Sequence, residues 1–481
     1  MPMDSRSSIL IRRLECTAGY VSVRVLYEPR PGVPGRTEPP PFKLAVEPDL
    51  HLVPGVATKT ELQSGHAIDT VLAAPQSEIH PSQVLEALEG TERWWRRWSD
   101  GIRSGEPYRE VLVRSLINLR LLTHTPSGAP VAAPTTSLPE EIGGVRNWDY
   151  RYSWPRDASV GVAAFLAVGK SEEACGFVDW LVKCAARDEE PIRVLYSLDG
   201  ERSGPERKVS GVSGYRGSLP VRIGNLAEKQ HQLDVYGWVI DALWNLVAAG
   251  EVMNRAGRRA VSDYADFVAA NWRRPDAGLW EVRDQPAQYV HSKIWAWIAL
   301  DRAVRLGSLL RLSRRRVVVW ERERDVLAAD VRQHGFNEEL GSYVRAYGSE
   351  EMDSALLLLP LTGFDPAGSG RLAGTVDAIW RRLGAGGPLL YRYPPGRDGL
   401  PGTEGAFLPC SFWLLEALLR LGRNEEGIRL LEDLLALANE LLLLPEEVDP
   451  KTGSYLGNYP LALSQAGLVH AVLEVQKVLR D

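Results

Sequence analysis

Residues 146–159 read RNWDYRYSWPRDAS, and the rest of the chain is best read outward from them. The stretch sets four aromatic rings and five formal charges side by side. A buried core rejects unpaired charges, and a solvated loop has no use for the rings. Flat apolar faces next to fixed charges belong where a polar molecule with apolar faces is gripped. Pro155 and Asp157 are also ordinary signals of a helix start, so the stretch is expected to lead into a helix.

The whole chain has 481 residues, 44% hydrophobic and 25% charged, the proportions of a folded globular protein. Its net charge is -6 and its pI near 5.9, without the basic excess that a nucleic acid or an anionic membrane attracts. Trp outnumbers Phe, 15 to 8. An indole offers a broad face and an N–H donor, on which sugar rings stack; filling a large helical core is the competing use. The four cysteines, Cys16, Cys175, Cys184 and Cys410, make no C-x-x-C pair and adjoin no histidine cluster, which argues against zinc and against a disulfide framework. The last three fall in apolar helical patterns and read as core thiols.

MPMDSRSSILIRRLE at the front lacks the apolar run of a secretory signal. The most apolar late stretch, LLALANELLLLPEEVD, is interrupted by Glu440 and stopped by Pro445 before it is long enough to span a bilayer. The expectation is a soluble, cytoplasmic protein with no nucleic-acid and no membrane partner. Its oligomeric state is not legible.

Two regimes follow one another along the chain. Up to about Gln76, SILIRRLECTAGYVSVRVLYEPRP, FKLAVEPDLHLVPG and HAIDTVLAAP read as short strands with turns, too few to close a sandwich alone. PSQVLEALEGTERWWRRWSDGI reads as a linking helix. From Glu106 onward, twelve segments carry apolar residues at three-to-four spacing, from YREVLVRSLINLRLL to SQAGLVHAVLEVQKVL, and MDSALLLLPLTGF is one of them. No repeat of solenoid length recurs. The division is therefore residues 1–80 as an incomplete β-sandwich-like segment, 81–105 as the linking helix and 106–481 as a helical domain. Long loops between the helices hold the unusual sequences, and loops carry function.

Two of those loops hold carboxylates in notable settings. Glu281 follows Trp280, and an apolar neighbour raises a carboxyl's pKa as a general acid requires. Glu446 and Glu447 lie in LLLLPEEVDP. Two carboxylates flanking a bond are what glycoside hydrolysis needs, although a lone loop Glu is solvated in most proteins. Arg156 and Asp157, beside Trp154, suit sugar hydroxyls, the first donating and the second accepting. Arg392, between Tyr391 and Tyr393, reads equally as a loop clamp or a ligand contact. No G-x-S-x-G elbow and no phosphate-binding glycine loop is present.

Taken together, RNWDYRYSWPRDAS, GYRGSLPVRIGNLAEKQHQLDVYG, GLWEVRDQPAQYVHSKIWAWIALDRA, YGSEEMDSALLLLPLTGF, DGLPGTEGAFLPCSFW and LLPEEVDPKTGSYLGNYP resemble glycoside hydrolase family 15, the glucoamylase-like family that includes bacterial trehalases. The resemblance covers Glu106 to the end. It implies an (α/α)6 barrel, preceded here by a short β-sandwich remnant where bacterial members carry a full supersandwich. It implies inverting hydrolysis of a terminal α-glucosidic bond with release of β-glucose, without cofactor or metal. By the same resemblance Glu281 is the general acid and Glu446 the general base. Tyr150 helps hold the water, Trp154, Arg156 and Asp157 grip the terminal glucose, and Trp280 and Arg392 are substrate contacts. Departures from the family pattern are Pro155, Pro409, Pro445, Val448, Leu461 and Gln465.

The leading expectation is an α-glucan glucohydrolase acting on maltooligosaccharide- or isomaltose-type substrates. Trehalase is the alternative within the family, and a catalytically weak sugar-binding or regulatory protein the alternative outside it. An inverting pair requires the two carboxyls to stand roughly 6.5–9.5 Å apart.

Overall fold

The computed structural model describes residues 9–28, 43–74, 83–185 and 192–480. Parts of the expected front-end strands, and the start of the linking helix at Pro81, lie outside them. The chain divides into two compact units, residues 1–102 with 210–212, and residues 103–209 with 213–481.

In the first unit, β1 (Ile9–Glu15), β5 (Ala67–Ala73) and β3 (Lys43–Glu47) form an antiparallel sheet with β5 in the middle, while β2 (Tyr20–Leu26) pairs with β4 (Ala57–Gln63). Period-two alternation points Leu62, Ile68, Val23, Val25 and Val46 into one core, which joins the two sheets. Arg13 sits opposite Asp69 in the register and bonds it at 2.7 Å. The strand β4 was not expected. Its sequence, ATKTELQ, is polar apart from Ala57 and Leu62, and Leu62 alone in it is fully buried. Helix α1 (Val84–Asp100) groups with these strands, burying Val84 against Ile9, Val71 and Ala73.

The second unit is helical. In chain order its helices are α2 (Arg109–Leu121), α3 (Pro155–Ala167), α4 (Ser171–Ala185), α5 (Asp234–Ala248), α6 (Arg255–Asn271), α7 (Val290–Leu309), α8 (Arg314–His334), α9 (Leu359–Thr362), α10 (Gly370–Leu383), α11 (Leu408–Arg420), α12 (Asn424–Leu435) and α13 (Ala462–Val478). The contacts run in a closed cycle. Helix α3 packs on α5, α5 on α7, α7 on a 3-10 segment (Ser354–Leu358) that leads into α9, both of those on α11, α11 on α13, and α13 back on α3. Around it, α2 packs on α13 and α3, α4 on α3 and α5, α6 on α5 and α7, α8 on α7, α10 on the 3-10 segment and α11, and α12 on α11 and α13.

Burial follows these positions. Every residue of α11 from Leu408 to Leu419 is buried, whereas α8 buries only Trp320, Glu323, Leu327, Ala328 and Val331. That single stripe explains why α8 begins ten residues before the apolar pattern that betrays it. Where α5 meets α7, the indoles of Trp238 and Trp295 stack at 3.4 Å, and a Cβ on Gly237 would overlap the Trp295 carbonyl. The expected helix over MDSALLLLPLTGF is broken into the 3-10 segment and one turn of α9. Asp353 caps the first through Ala355 N–H, Pro360 has no N–H to extend the ladder, and Gly363 ends the second in the left-handed region. None of the four cysteines forms a disulfide; Cys16, Cys184 and Cys410 are buried, but Cys175 is only half-buried. No described helix is long and apolar enough to cross a membrane.

Glu416, within α11, is buried, and burial together with the charge of Glu474 pushes its pKa up to about 8 against the pull of Arg420 and Lys477. The folded chain therefore keeps a proton that the unfolded chain releases above about pH 4.5, so this group's contribution to stability is full at low pH and is lost as pH rises towards 8. Denaturant unfolding of Glu416→Gln should show a variant that gains on the parent by roughly 2 kcal/mol or more between pH 5 and pH 8. A difference that does not change with pH contradicts the assignment.

Candidate active site

The segments leading into the helices of the inner cycle converge. Trp154 caps the start of α3, Gln232 precedes α5, Glu281 lies in the turn before α7, Asp353 precedes the 3-10 segment, Arg392 precedes α11 and Glu446 precedes α13. One cavity is lined by Tyr150, Trp154, Arg156, Asp157, Trp280, Glu281, Arg392 and Glu446, so all eight residues singled out in the sequence meet in one place.

Glu281 sits at φ 57, in the left-handed region that a side chain seldom occupies. The turn is held by Val282 N–H donating to Ala277 O at 3.2 Å, and by Gln230 Nε2 donating to the carbonyls of Glu281 and Val282. The result aims the carboxyl into the cavity, where Trp154 Nε1 donates to Oε1 at 2.8 Å and Arg156 Nη2 stands 3.7 Å away. The side chain keeps 24% of its surface open to the cavity. Even so, desolvation within the protein dominates and raises its pKa, against the opposing pull of Arg156 and Trp154.

Glu446 is fully buried. Tyr150 Oη donates to its Oε1 at 2.7 Å and Asn458 N–H to its Oε2 at 2.8 Å. Burial raises its pKa, and the nearby charge of Glu140 adds to this, while Arg392, Tyr150 and Asn458 favour the ionised form. Gly457, at φ 71, has no Cβ because one would run into the Glu446 carboxyl.

Arg156 is held by Asp157 Oδ1 at 3.1 Å, Gln232 Oε1 at 2.7 Å and, at 3.6 Å, Asp234. It is therefore a preset wall of the cavity and not a free arm. Trp280 donates to Asp353 at 2.8 Å and is boxed by Tyr393, Phe407 and Trp413. For Arg392, clamp and cavity wall prove compatible: its Nη2 bonds Glu404 at 2.5 Å and Glu447 at 2.9 Å, and lies 3.3 Å from Glu140, while the guanidinium lines the cavity.

Glu140, Glu446 and Glu447 bring carboxylate oxygens within 4.8 Å of one another, the grouping among the described residues with the geometry to hold a cation. Arg392 already supplies positive charge there. Sequence reading missed Glu140, Gln230, Gln232, Asp234, Asp353, Glu404 and Asn458. The one signal was the recurrence of Pro-Glu-Glu, at residues 139–141 and again at 445–447.

A sequence profile described as glycosyl hydrolases family 15 matches residues 106–473. The chain belongs to this family. It is 38% identical over 396 residues to a trehalase of Thermoplasma volcanium, covering 82% of this chain and 62% of that one. To a trehalase of Mycolicibacterium smegmatis it is 34% identical over 98% of this chain and 75% of the relative. The chain thus spans less than two thirds of the length of the Thermoplasma protein. Among solved structures it resembles a bacterial glucoamylase complexed with acarbose, with a TM-score of 0.68 at 16% identity over 88% of this chain and 65% of that one, a likeness of fold. The family and this likeness bear out the sequence resemblance and its helical fold class.

Gly457→Ala should leave the protein folded but displace the Glu446 carboxyl. A misplacement on the order of 1 Å at a reacting group costs about 10²-fold in rate, so the base role proposed below for Glu446 predicts a fall in glycosidase activity of at least that factor with little change in far-ultraviolet circular dichroism. Full activity in this variant contradicts the placement of Glu446.

Proposed function

We propose that this chain is a trehalase that hydrolyses the α,α-1,1 bond between two glucose units with inversion at the attacked carbon. The observation that carries the reading is the pairing of Glu281 and Glu446 in one cavity, each held by a side chain of the Tyr150–Asp157 stretch. Trehalose takes precedence over α-glucans because the relatives at 38% and 34% identity are named trehalases, while the glucoamylase likeness speaks for the fold. The leading expectation from sequence therefore gives way to its alternative. A sugar-binding protein without chemistry has less support, since both carboxyls stand in the cavity with hydrogen-bond partners.

The fold we infer is an (α/α)6 barrel. Its inner ring is α3, α5, α7, the Ser354–Thr362 segment, α11 and α13, and its outer ring is α2, α4, α6, α8, α10 and α12. Residues 106–481 form this domain, 81–105 the linking helix and 1–80 the β-sandwich-like segment. The protein acts in the cytoplasm.

In the reaction, Trp154, Arg156 and Asp157 grip the terminal glucose. Glu281, whose pKa the enclosure raises, gives its proton to the glycosidic oxygen as the C1–O bond breaks. Glu446 takes a proton from a water that attacks C1 from the opposite face, with Tyr150 helping to hold that water. The cycle leaves Glu281 ionised and Glu446 protonated, and exchange with solvent restores both. Trp280 and Arg392 wall the sugar. Every proton has a donor and an acceptor among these residues, so the chemistry calls on no cofactor or metal.

Glucose release from trehalose, maltose, isomaltose and soluble starch tests the substrate, and trehalose should be the preferred one. Glu281→Gln and Glu446→Gln should each lose at least about 10²-fold in kcat while still binding a glucose-like inhibitor. Preference for starch contradicts the substrate, and retained activity in both variants contradicts the roles.

A further inference from the structure

Two cavities meet at Glu281. Beside the one already described lies a second. Tyr150, Trp280, Glu281 and Arg392 wall both; Glu446, Arg156 and Asp157 wall the first alone, and Trp148 and Arg283 the second alone. In an inverting reaction the acid stands at the bond between two sugars and the base on the far side of the sugar attacked. The asymmetry therefore gives the first cavity to the attacked glucose and the second to the leaving one. This step rests on the trehalase reading above.

The second cavity is rimmed by loops laced to one another, with Arg283 at the crossing. Its Nη2 donates to Glu206 Oε2 at 2.9 Å, and its backbone N–H donates to Asp398 O at 3.2 Å. Glu206 Oε2 also accepts from Leu226 N–H at 3.2 Å, and its other oxygen lies 3.7 Å from Arg222 Nε. The guanidiniums of Arg283 and Arg222 lie over the Trp148 ring, 4.5 and 4.7 Å from its centroid. Next in sequence to the lining residue Glu140, Glu141 ties in a further loop, its carboxylate accepting from Thr403 N–H at 3.0 Å and Oγ1 at 2.8 Å. Arg283 keeps 25% of its side-chain surface open, and its Nε and Nη1 donors have no acceptor among the described residues. A planar donor fork, held at one corner and free at the others on the wall of this cavity, suits vicinal hydroxyls.

We propose that Arg283 is the specificity-determining residue for the leaving sugar: it donates to the hydroxyls of the second glucose and, anchored by Glu206 over Trp148, closes the cavity beyond that ring. The site then takes a disaccharide and turns away longer α-glucan chains.

The test uses the 481-residue chain and its Arg283→Ala, Arg283→Lys and Glu206→Gln variants. kcat and KM are measured on trehalose and on maltotriose, a linear α-1,4 trisaccharide. The parent should cleave trehalose and barely act on maltotriose. Losing a hydrogen bond from a charged donor costs about 10–100-fold, so Arg283→Ala should raise KM for trehalose by that factor with a smaller change in kcat. Its maltotriose-to-trehalose ratio of kcat/KM should rise by at least about 10-fold. Glu206→Gln should move the ratio in the same direction by less, and Arg283→Lys should restore part of the trehalose KM. A ratio that does not move, or an equal loss on both substrates through kcat, overturns the proposal. Should Arg283→Ala not fold, the ratio in Glu206→Gln decides. A parent inactive on trehalose overturns the trehalase reading itself, which separates that failure from this one.

Discussion

Two side-chain hydrogen bonds from one short stretch of the chain organise the site. Tyr150 donates to Glu446 at 2.7 Å and Trp154 to Glu281 at 2.8 Å, and the two donors are four residues apart. Glu281 and Glu446 themselves are far apart in sequence and enter from different helices. Their orientation is therefore set by one rigid element, in which Tyr150 and Trp154 also pack edge to face at 5.5 Å. Reacting groups fixed in this way need no reorganisation during a reaction, which is where much of an enzyme's rate advantage arises. The cost appears as local strain, with Glu281 in the left-handed region and Gly457 obligatory behind Glu446.

Beneath the cavity lies a second constraint. The side chains of Glu140, Glu404, Glu446 and Glu447 are nearly or wholly removed from solvent, and Arg146 and Arg392 are enclosed with them. Arg146 binds Asp398 through two nitrogens, at 2.6 and 2.9 Å. Buried charge of this kind adds little to stability compared with apolar packing, and it is strongly destabilising when one partner is removed. Acids outnumber guanidiniums there, and burial raises the pKa of Glu140, Glu446 and Glu447. Among the three clustered carboxyls, Glu446 accepts from Tyr150 and Asn458 while Glu140, among the described residues, accepts only from Trp148, at 2.9 Å. Those donors favour the ionised form at Glu446, but burial and the charge of Glu140 outweigh them and push its pKa up to about 8, so the proposed base acts from the ionised fraction of this group.

How far the sequence disclosed this depends on the kind of signal. Helices buried on one stripe announce themselves by period, and the twelve expected segments correspond to α2–α8, the broken Ser354–Thr362 segment and α10–α13. Strand β4 escaped because Thr58, Lys59 and Glu61 give it no apolar alternation. Glu281, Glu446 and the Trp-Pro-Arg-Asp step were legible because rings and charges in loops are uncommon. Glu140, Gln232 and Asp234 were not, because polar residues next to a helix start resemble ordinary caps until the fold shows which carboxyl or guanidinium they face. Arg283, two residues past Glu281, gave no sign at all, since its partners Glu206, Trp148 and Asp398 come from three other segments of the chain.

The central claim is that Glu281 and Glu446 act on opposite faces of one glucose, the first as acid and the second as base. Proton NMR of trehalose hydrolysis, followed from time zero and faster than mutarotation, tests it most directly. Inversion at the attacked carbon releases that glucose as the β-anomer and the leaving glucose as the α-anomer, so equal amounts of the two should appear at first. Initial release of α-glucose alone would mean retention of configuration, and would contradict the account.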